Sequence, residues 1–196
     1  MLGRDAEAAR SAAVQTPAPA RAASGGRELL YALAAIVVVS ALYGAAWSQA
    51  ERLPAASSLV GHGIGIVGSA LMLMTATLYS LRKLRRDARW GSTSAWLKLH
   101  MVTGLVGPYM VLLHSSLRFN GLAGFTMLLT VIVVASGLTG RYLYTRVSRA
   151  PGAGVTASRR RILAVWHLVH LPLTWALFAA AAVHVAGALY YATLAP

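Results

Sequence analysis

Six histidines are the side chains in this sequence that are best suited to bind a metal ion. They are His62, His100, His114, His167, His170 and His184. Each falls within a long apolar stretch, where ionisable side chains are rare and are usually functional. Imidazole is the commonest metal ligand among protein side chains and also carries protons near neutral pH. The histidines therefore predict a site inside the apolar part of the protein.

Two pairs of histidines share one spacing. His100 and His114 are 14 residues apart, and so are His170 and His184. In an α-helix, 14 residues rotate by about 1400°, which returns to within about 40° of the same face, and they rise by about 21 Å. Each helix would therefore carry two imidazoles on one face, at two depths. A lone histidine is readily explained as a polar contact between helices, but all six together are not.

Two parallel helices with this spacing match His100 with His170 and His114 with His184. Each pair could supply both axial nitrogens to one haem iron, with the porphyrin edge-on between the helices. The chain has no cysteine, which excludes thiolate sites, iron–sulfur clusters and covalent c-type haem. Its five acidic residues lie outside the interior of the long apolar runs. A di-iron site or a carboxylate proton relay is therefore not expected.

His62 and His167 are left over and keep alternative roles. His62 is predicted at the depth of the outer pair, where it could bind a quinone, donate to a haem propionate or replace a ligand. His167 could take the place of His170 as the partner of His100. We prefer His170, because the 17 residues between His167 and His184 rotate it by about 100° off the shared face.

Five apolar stretches are long enough to position these side chains across a bilayer, which takes about 20 residues each. They cover about 28–48, 58–81, 96–117, 121–144 and 163–192. The chain is 57% apolar and 12% charged, against about 25% charged in a soluble domain. We predict an all-α integral membrane bundle of five transmembrane helices, residues 27–196, after a disordered cytoplasmic tail, residues 1–26. A signal peptide is not favoured, because the first apolar stretch is too long and begins too far from Met1.

The basic residues set the predicted orientation. Of the 18 basic residues, 16 lie in the tail, around the connection after the second span and around the connection after the fourth. The positive-inside rule then makes the N-terminus cytoplasmic and the C-terminus external, as in a multi-pass protein of the bacterial inner membrane. Topology thus explains the net charge of +13, and a nucleic-acid partner is not expected. The aromatic residues Trp96, Trp166, Tyr190 and Tyr191 suit the two membrane interfaces.

Three further residues are candidate cofactor contacts. Gly104 and Gly107 lie between the two histidine levels of the third span, where small residues could let a macrocycle approach, or could serve helix packing. Arg141 is near the predicted cytoplasmic end, with Lys98 and Arg161, and could pair with a haem propionate. It could equally serve to anchor the topology.

Histidine pairs 14 residues apart on two parallel helices resemble the haem core of respiratory cytochrome b and of the ferric reductase and NADPH oxidase membrane domain. The segments LMLMTATLYSLRK, HMVTGLVGPYMVLLHSS and ASGLTGRYLY resemble a bacterial group of small b-type membrane cytochromes. The resemblance covers about residues 58–192. It implies that His100, His114, His170 and His184 are the axial ligands of two haem b groups. No flavin or nicotinamide domain follows, so electrons are expected from a quinol or another protein.

The sequence therefore predicts a di-haem b-type cytochrome subunit in contact with membrane lipid. As the electron-transfer subunit of a membrane oxidoreductase, it would carry electrons within or across the membrane between a quinone pool and a partner such as a cytochrome c or a reductase. Two alternatives stay open: a structural or assembly subunit of a larger membrane complex, and a histidine-lined transporter of metal ions or protons. Rapid haem reduction by quinol would separate the first two, and haem-free metal transport would favour the third.

Overall fold

The computed structural model of the chain describes residues 26–50, 54–84, 91–149 and 155–193. Five α-helices occupy most of these ranges, and no strand occurs within them. The helices are α1 (Arg27–Ala50), α2 (Leu59–Leu84), α3 (Thr93–His114), α4 (Gly121–Arg149) and α5 (Val155–Thr193). Each contains a segment long and apolar enough to cross a membrane, so the predicted all-α bundle of five spanning helices is confirmed. The predicted disordered tail lies outside the described residues, apart from Gly26.

The helix ends depart from the predicted spans at two places. α3 ends at His114 instead of near 117, because Ser116 and Leu117 adopt positive φ angles of 48° and 60°, which a right-handed helix does not allow. α5 begins at Val155, upstream of the apolar span that starts near 163. The residues in between include no proline or glycine that would stop a helix.

The helices pack as two hairpins. α2 and α3 make the most extensive contact, α4 and α5 make the second, α1 lies along α3, and a smaller contact between α3 and α4 joins the hairpins. α2 crosses α3 where Gly68 meets Gly107. A Cβ on either glycine would lie 2.9 Å from the carbonyl oxygen of the other, so a larger residue would force the helices apart.

α1, α3 and α5 run in the same direction, opposite to α4. Arg141, late in α4, contacts Glu28 at the start of α1 and Met101 early in α3. Trp166, early in α5, donates its indole N–H to the carbonyl of Ser136, in the second half of α4. α3 and α5 are therefore parallel, which is the arrangement that the matching of histidines requires.

Most large apolar side chains point outward. Six of the eight buried apolar residues in the described ranges form two small clusters, one between α1 and α3 and one between α4 and α5. They are Ala32, Val106 and Met110, and Leu129, Leu177 and Ala180. By contrast, Leu30 is 64% exposed and Trp175 is 71% exposed. Helices of spanning length with an apolar outer surface belong to a multi-pass membrane protein, whose lipid covers that surface.

Candidate functional site

Both histidines of α3 donate a hydrogen bond to a backbone carbonyl of α2. The Nδ1 atom of His114 lies 2.9 Å from the Gly61 oxygen, and that of His100 lies 3.5 Å from the Thr75 oxygen. A carbonyl can only accept, so Nδ1 carries the proton and Nε2 keeps its lone pair. Gly61 and Thr75 are 14 residues apart in α2, as His100 and His114 are in α3. Because α2 runs antiparallel to α3, one carbonyl of α2 lies beside each histidine.

Each of these rings is also enclosed by α2. His114 lies against Gly65, where a Cβ would come within 2.8 Å of the ring atoms Cγ and Nδ1. His100 lies beside Tyr79, with 5.1 Å between the ring centroids. The glycine is therefore required for the position of the His114 ring, because any larger residue would collide with it.

A buried pair of hydroxyl groups stabilises the contact between α2 and α3 near His100. Thr75 and Thr103 touch through their Oγ1 atoms, and each Oγ1 also lies within hydrogen-bonding distance of a carbonyl in its own helix. The Thr75 carbonyl is the one that accepts from His100. This contact therefore fixes the backbone that holds the His100 ring.

A residue cluster from α4 and α5 holds His170. The Nδ1 atom of His170 lies 3.0 Å from the Ser136 hydroxyl, and the Trp166 ring stacks on the imidazole with 5.0 Å between centroids. The same Ser136 accepts the Trp166 indole N–H through its carbonyl, at 2.8 Å. Gly140 makes room for this indole, because a Cβ there would overlap it. Trp166 was predicted as an interfacial residue, and its packing on His170 is an additional role that its position in the sequence did not indicate.

The α3 histidines lie within electrostatic range of the α5 histidines. His100 acts on His170, and His114 acts on His184. α3 and α5 are not among the helix pairs that pack extensively in the described part of the chain, whereas α4 contacts both. The two members of each pair therefore come from helices that do not pack extensively on each other.

His62 and His167 differ from His100, His114 and His170 in how they are held. Each has its Nδ1 atom near the carbonyl oxygen four residues earlier in the chain, at 3.3 Å from Ser58 and 3.0 Å from Leu163. His62 is exposed, and its ring centroid lies 6.3 Å from that of His114, at the depth predicted for it. His167 is half-buried and meets the Trp166 ring edge-on.

The two glycines predicted as cofactor contacts have different surroundings. A Cβ on Gly104 would have no atom within 4 Å, so open space lies beside it. A Cβ on Gly107 would lie 2.8 Å from the Met72 side chain. Gly107 therefore has a helix-packing role, which was one of the two roles that its sequence position allowed.

Arg141 forms an ion pair with Glu28. The same guanidinium nitrogen lies 3.0 Å from the Met101 sulfur, and Lys98 also acts electrostatically on the carboxylate. Glu28 is 5% exposed, and its Oε2 atom has no hydrogen-bond partner among the described residues. The predicted propionate partner is thus engaged by a carboxylate of the protein itself.

Glu28 stands at the edge of the first apolar run, yet it is buried. It occupies the first turn of α1 and is enclosed by α3 and α4, because two cationic side chains lie at the same depth. A signal for this contact existed: Glu28 begins the first apolar span and Arg141 ends the fourth, so the topology places their opposite charges at one membrane face.

No protein-family model matches the chain, and neither does any curated protein or solved structure.

Proposed function

We propose that the protein is a di-haem b-type cytochrome subunit of the bacterial inner membrane, which carries electrons between a quinone pool and a redox partner. The observation that supports this most is the anchoring of the histidines by neighbouring helices. His100, His114 and His170 each use Nδ1 for a contact with another helix. Metal-bound histidines characteristically use their second ring nitrogen in this way, because it fixes the ring and its tautomer.

The surroundings of the histidines fit such a group. His100 and His170 would hold one iron, and His114 and His184 would hold the other, about 21 Å away along the helices. Gly104, between the two levels, leaves open space beside α3. The bound haem supplies one-electron chemistry, while the protein sets the ligand orientation, the hydrogen bonds to the ligands and the burial.

The anchoring also bears on the alternatives. A transporter needs ligands that bind and release its ion. Imidazole rings that a neighbouring helix holds in place are better suited to a metal that stays bound. A structural or assembly subunit could hold the same haems but would lack a fast electron path. Mixing the purified protein with a quinol analogue separates an electron carrier from a structural subunit. The haem of an electron carrier should be reduced rapidly, whereas the haem of a structural subunit should not.

The first test is the haem content of the purified full-length chain. A reduced-minus-oxidised absorbance spectrum and an alkaline pyridine assay should report two haem b groups per chain. Protein that contains no stoichiometric haem b would refute the proposal.

The pairing has its own test, which uses single alanine variants. His114→Ala and His184→Ala should remove one and the same haem, while His100→Ala should remove the other. If His114→Ala and His184→Ala remove different haems, the depth matching is wrong even though the protein is a cytochrome.

A further inference from the structure

We propose that Glu28 takes up a proton when an electron arrives at the His100–His170 level and releases it when the electron leaves. This inference rests on the proposed function, because the electron carrier at that level is the haem iron. One electron reduces the ferric iron to the ferrous state. One proton from water at that end of the bundle converts the Glu28 carboxylate to a carboxylic acid, so the added negative charge is balanced.

The Glu28 carboxylate is buried with only one of its two oxygens paired. Glu28 is 5% exposed; its Oε1 atom pairs with Arg141, whereas Oε2 has no hydrogen-bond partner among the described residues. An ionised carboxylate with an unpaired buried oxygen carries a desolvation cost. A static ion pair would be expected to satisfy both oxygens, so the free oxygen marks a position where a proton can bind.

Positive charge surrounds the Glu28 carboxylate. The groups that act on it are Arg141 from α4, Lys98 from α3 and the backbone N–H of Glu28 itself, and Arg27 precedes it in its own helix. These cations favour the carboxylate, while burial opposes it. The ionisation of Glu28 therefore depends on the positive potential at this end of the bundle, and negative charge added nearby favours protonation.

Arg141 connects Glu28 to the level of His100. The Arg141 guanidinium contacts both Glu28 and the sulfur of Met101, and Met101 follows His100 directly in α3. An electron at the His100 level is weakly screened in the low-dielectric interior, so it lowers the potential that holds Glu28 ionised. The level of His114 is about 21 Å further along α3, so its coupling to Glu28 is expected to be much weaker.

The test is a redox titration of the haem-loaded, full-length protein at a series of pH values. In the native protein the midpoint potential of the haem that is lost in His100→Ala should fall as pH rises, because the reduced form binds the proton. The slope should approach about 59 mV for each tenfold change in proton concentration. Glu28→Gln should abolish the slope, and Glu28→Asp, which keeps a carboxyl group, should retain it. A Glu28→Gln variant with the native slope would overturn the inference.

An infrared difference spectrum of the native protein covers the case in which Glu28→Gln does not accumulate. Reduction should produce the carbonyl band of a protonated carboxylic acid and remove a carboxylate band; a spectrum without this change would overturn the inference. Failure of the proposed function looks different, because the purified protein would then contain no stoichiometric haem at all.

Discussion

Gly65 is the position where the smallest substitution should disturb His114 most directly. A Cβ at residue 65 would lie 2.8 Å from the Cγ and Nδ1 atoms of the His114 ring, whereas ordinary contact begins at 3.4 Å. The ring and the new methyl group must therefore separate by the difference, about 0.6 Å. A shift of this size would lengthen the 2.9 Å hydrogen bond from Nδ1 to the Gly61 oxygen to as much as about 3.5 Å, the length of the weaker His100–Thr75 hydrogen bond, and would therefore weaken it.

Gly65→Ala should lower the affinity for haem but raise the intrinsic stability of the helix. Loss of a hydrogen bond that orients a metal-bound histidine lowers metal affinity by roughly 10–100-fold, which corresponds to about 1.4–2.8 kcal/mol. Alanine in place of glycine within a helix stabilises the fold by about 0.5–1 kcal/mol. We therefore expect weaker binding of the haem held by His114, even where the new methyl group does not destabilise the haem-free helix.

Gly63→Ala is the matched control, since a Cβ on Gly63 would meet no atom within 4 Å. Both variants gain the same helix preference, but Gly63→Ala should retain both haems. Titration of the haem-free proteins with haem, followed by absorbance, gives the two affinities, and a redox titration shows which component is weakened. Equal affinities of Gly65→Ala and Gly63→Ala for both haems would refute the reasoning.

Three predictions concern the surroundings of His170. His170→Ala should remove the haem shared with His100, whereas His167→Ala should retain it; pyridine assays of the two variants decide, and loss of this haem in His167→Ala would reverse the assignment. Ser136→Ala should shift the midpoint potential of the same haem while Ser136→Thr restores it, because only the hydroxyl contacts Nδ1; an unchanged potential in Ser136→Ala would contradict this. Gly140→Ala should displace the indole of Trp166 and shift its fluorescence spectrum, and an unchanged spectrum would count against the packing described.

The spanning helices were predictable because bilayer thickness fixes their length independently of tertiary structure. The limits of the helices were not, since hydropathy marks where the bilayer ends and not where the backbone stops being helical. α5 therefore begins upstream of its apolar span, at Val155. α3 ends at His114 because of two left-handed residues, which are a serine and a leucine and carry no sequence signal for that conformation.

The depths of the histidines could be ranked from their spacing and from the parallel direction of their helices. The groups that hold the rings were not predictable, because they are backbone carbonyls, which every residue has. That Gly61 and Thr75 accept from the histidines depends on how α2 turns against α3. The sequence could not decide between a cofactor contact and a helix-packing role for Gly107 for the same reason. The answer depends on which face of α3 meets α2.

The division of the bundle into two hairpins has a consequence for how the protein is made. Each histidine level draws one imidazole from the α2–α3 hairpin and one from the α4–α5 hairpin, and the direct contact between the hairpins is small. A haem that binds across them would act as a cross-link, and at a free concentration 100 times its Kd it would add about 2.7 kcal/mol to the assembled state. Cells short of haem would then insert all five helices yet leave the halves loosely joined and open to membrane proteases, so haem supply would set the abundance of the protein.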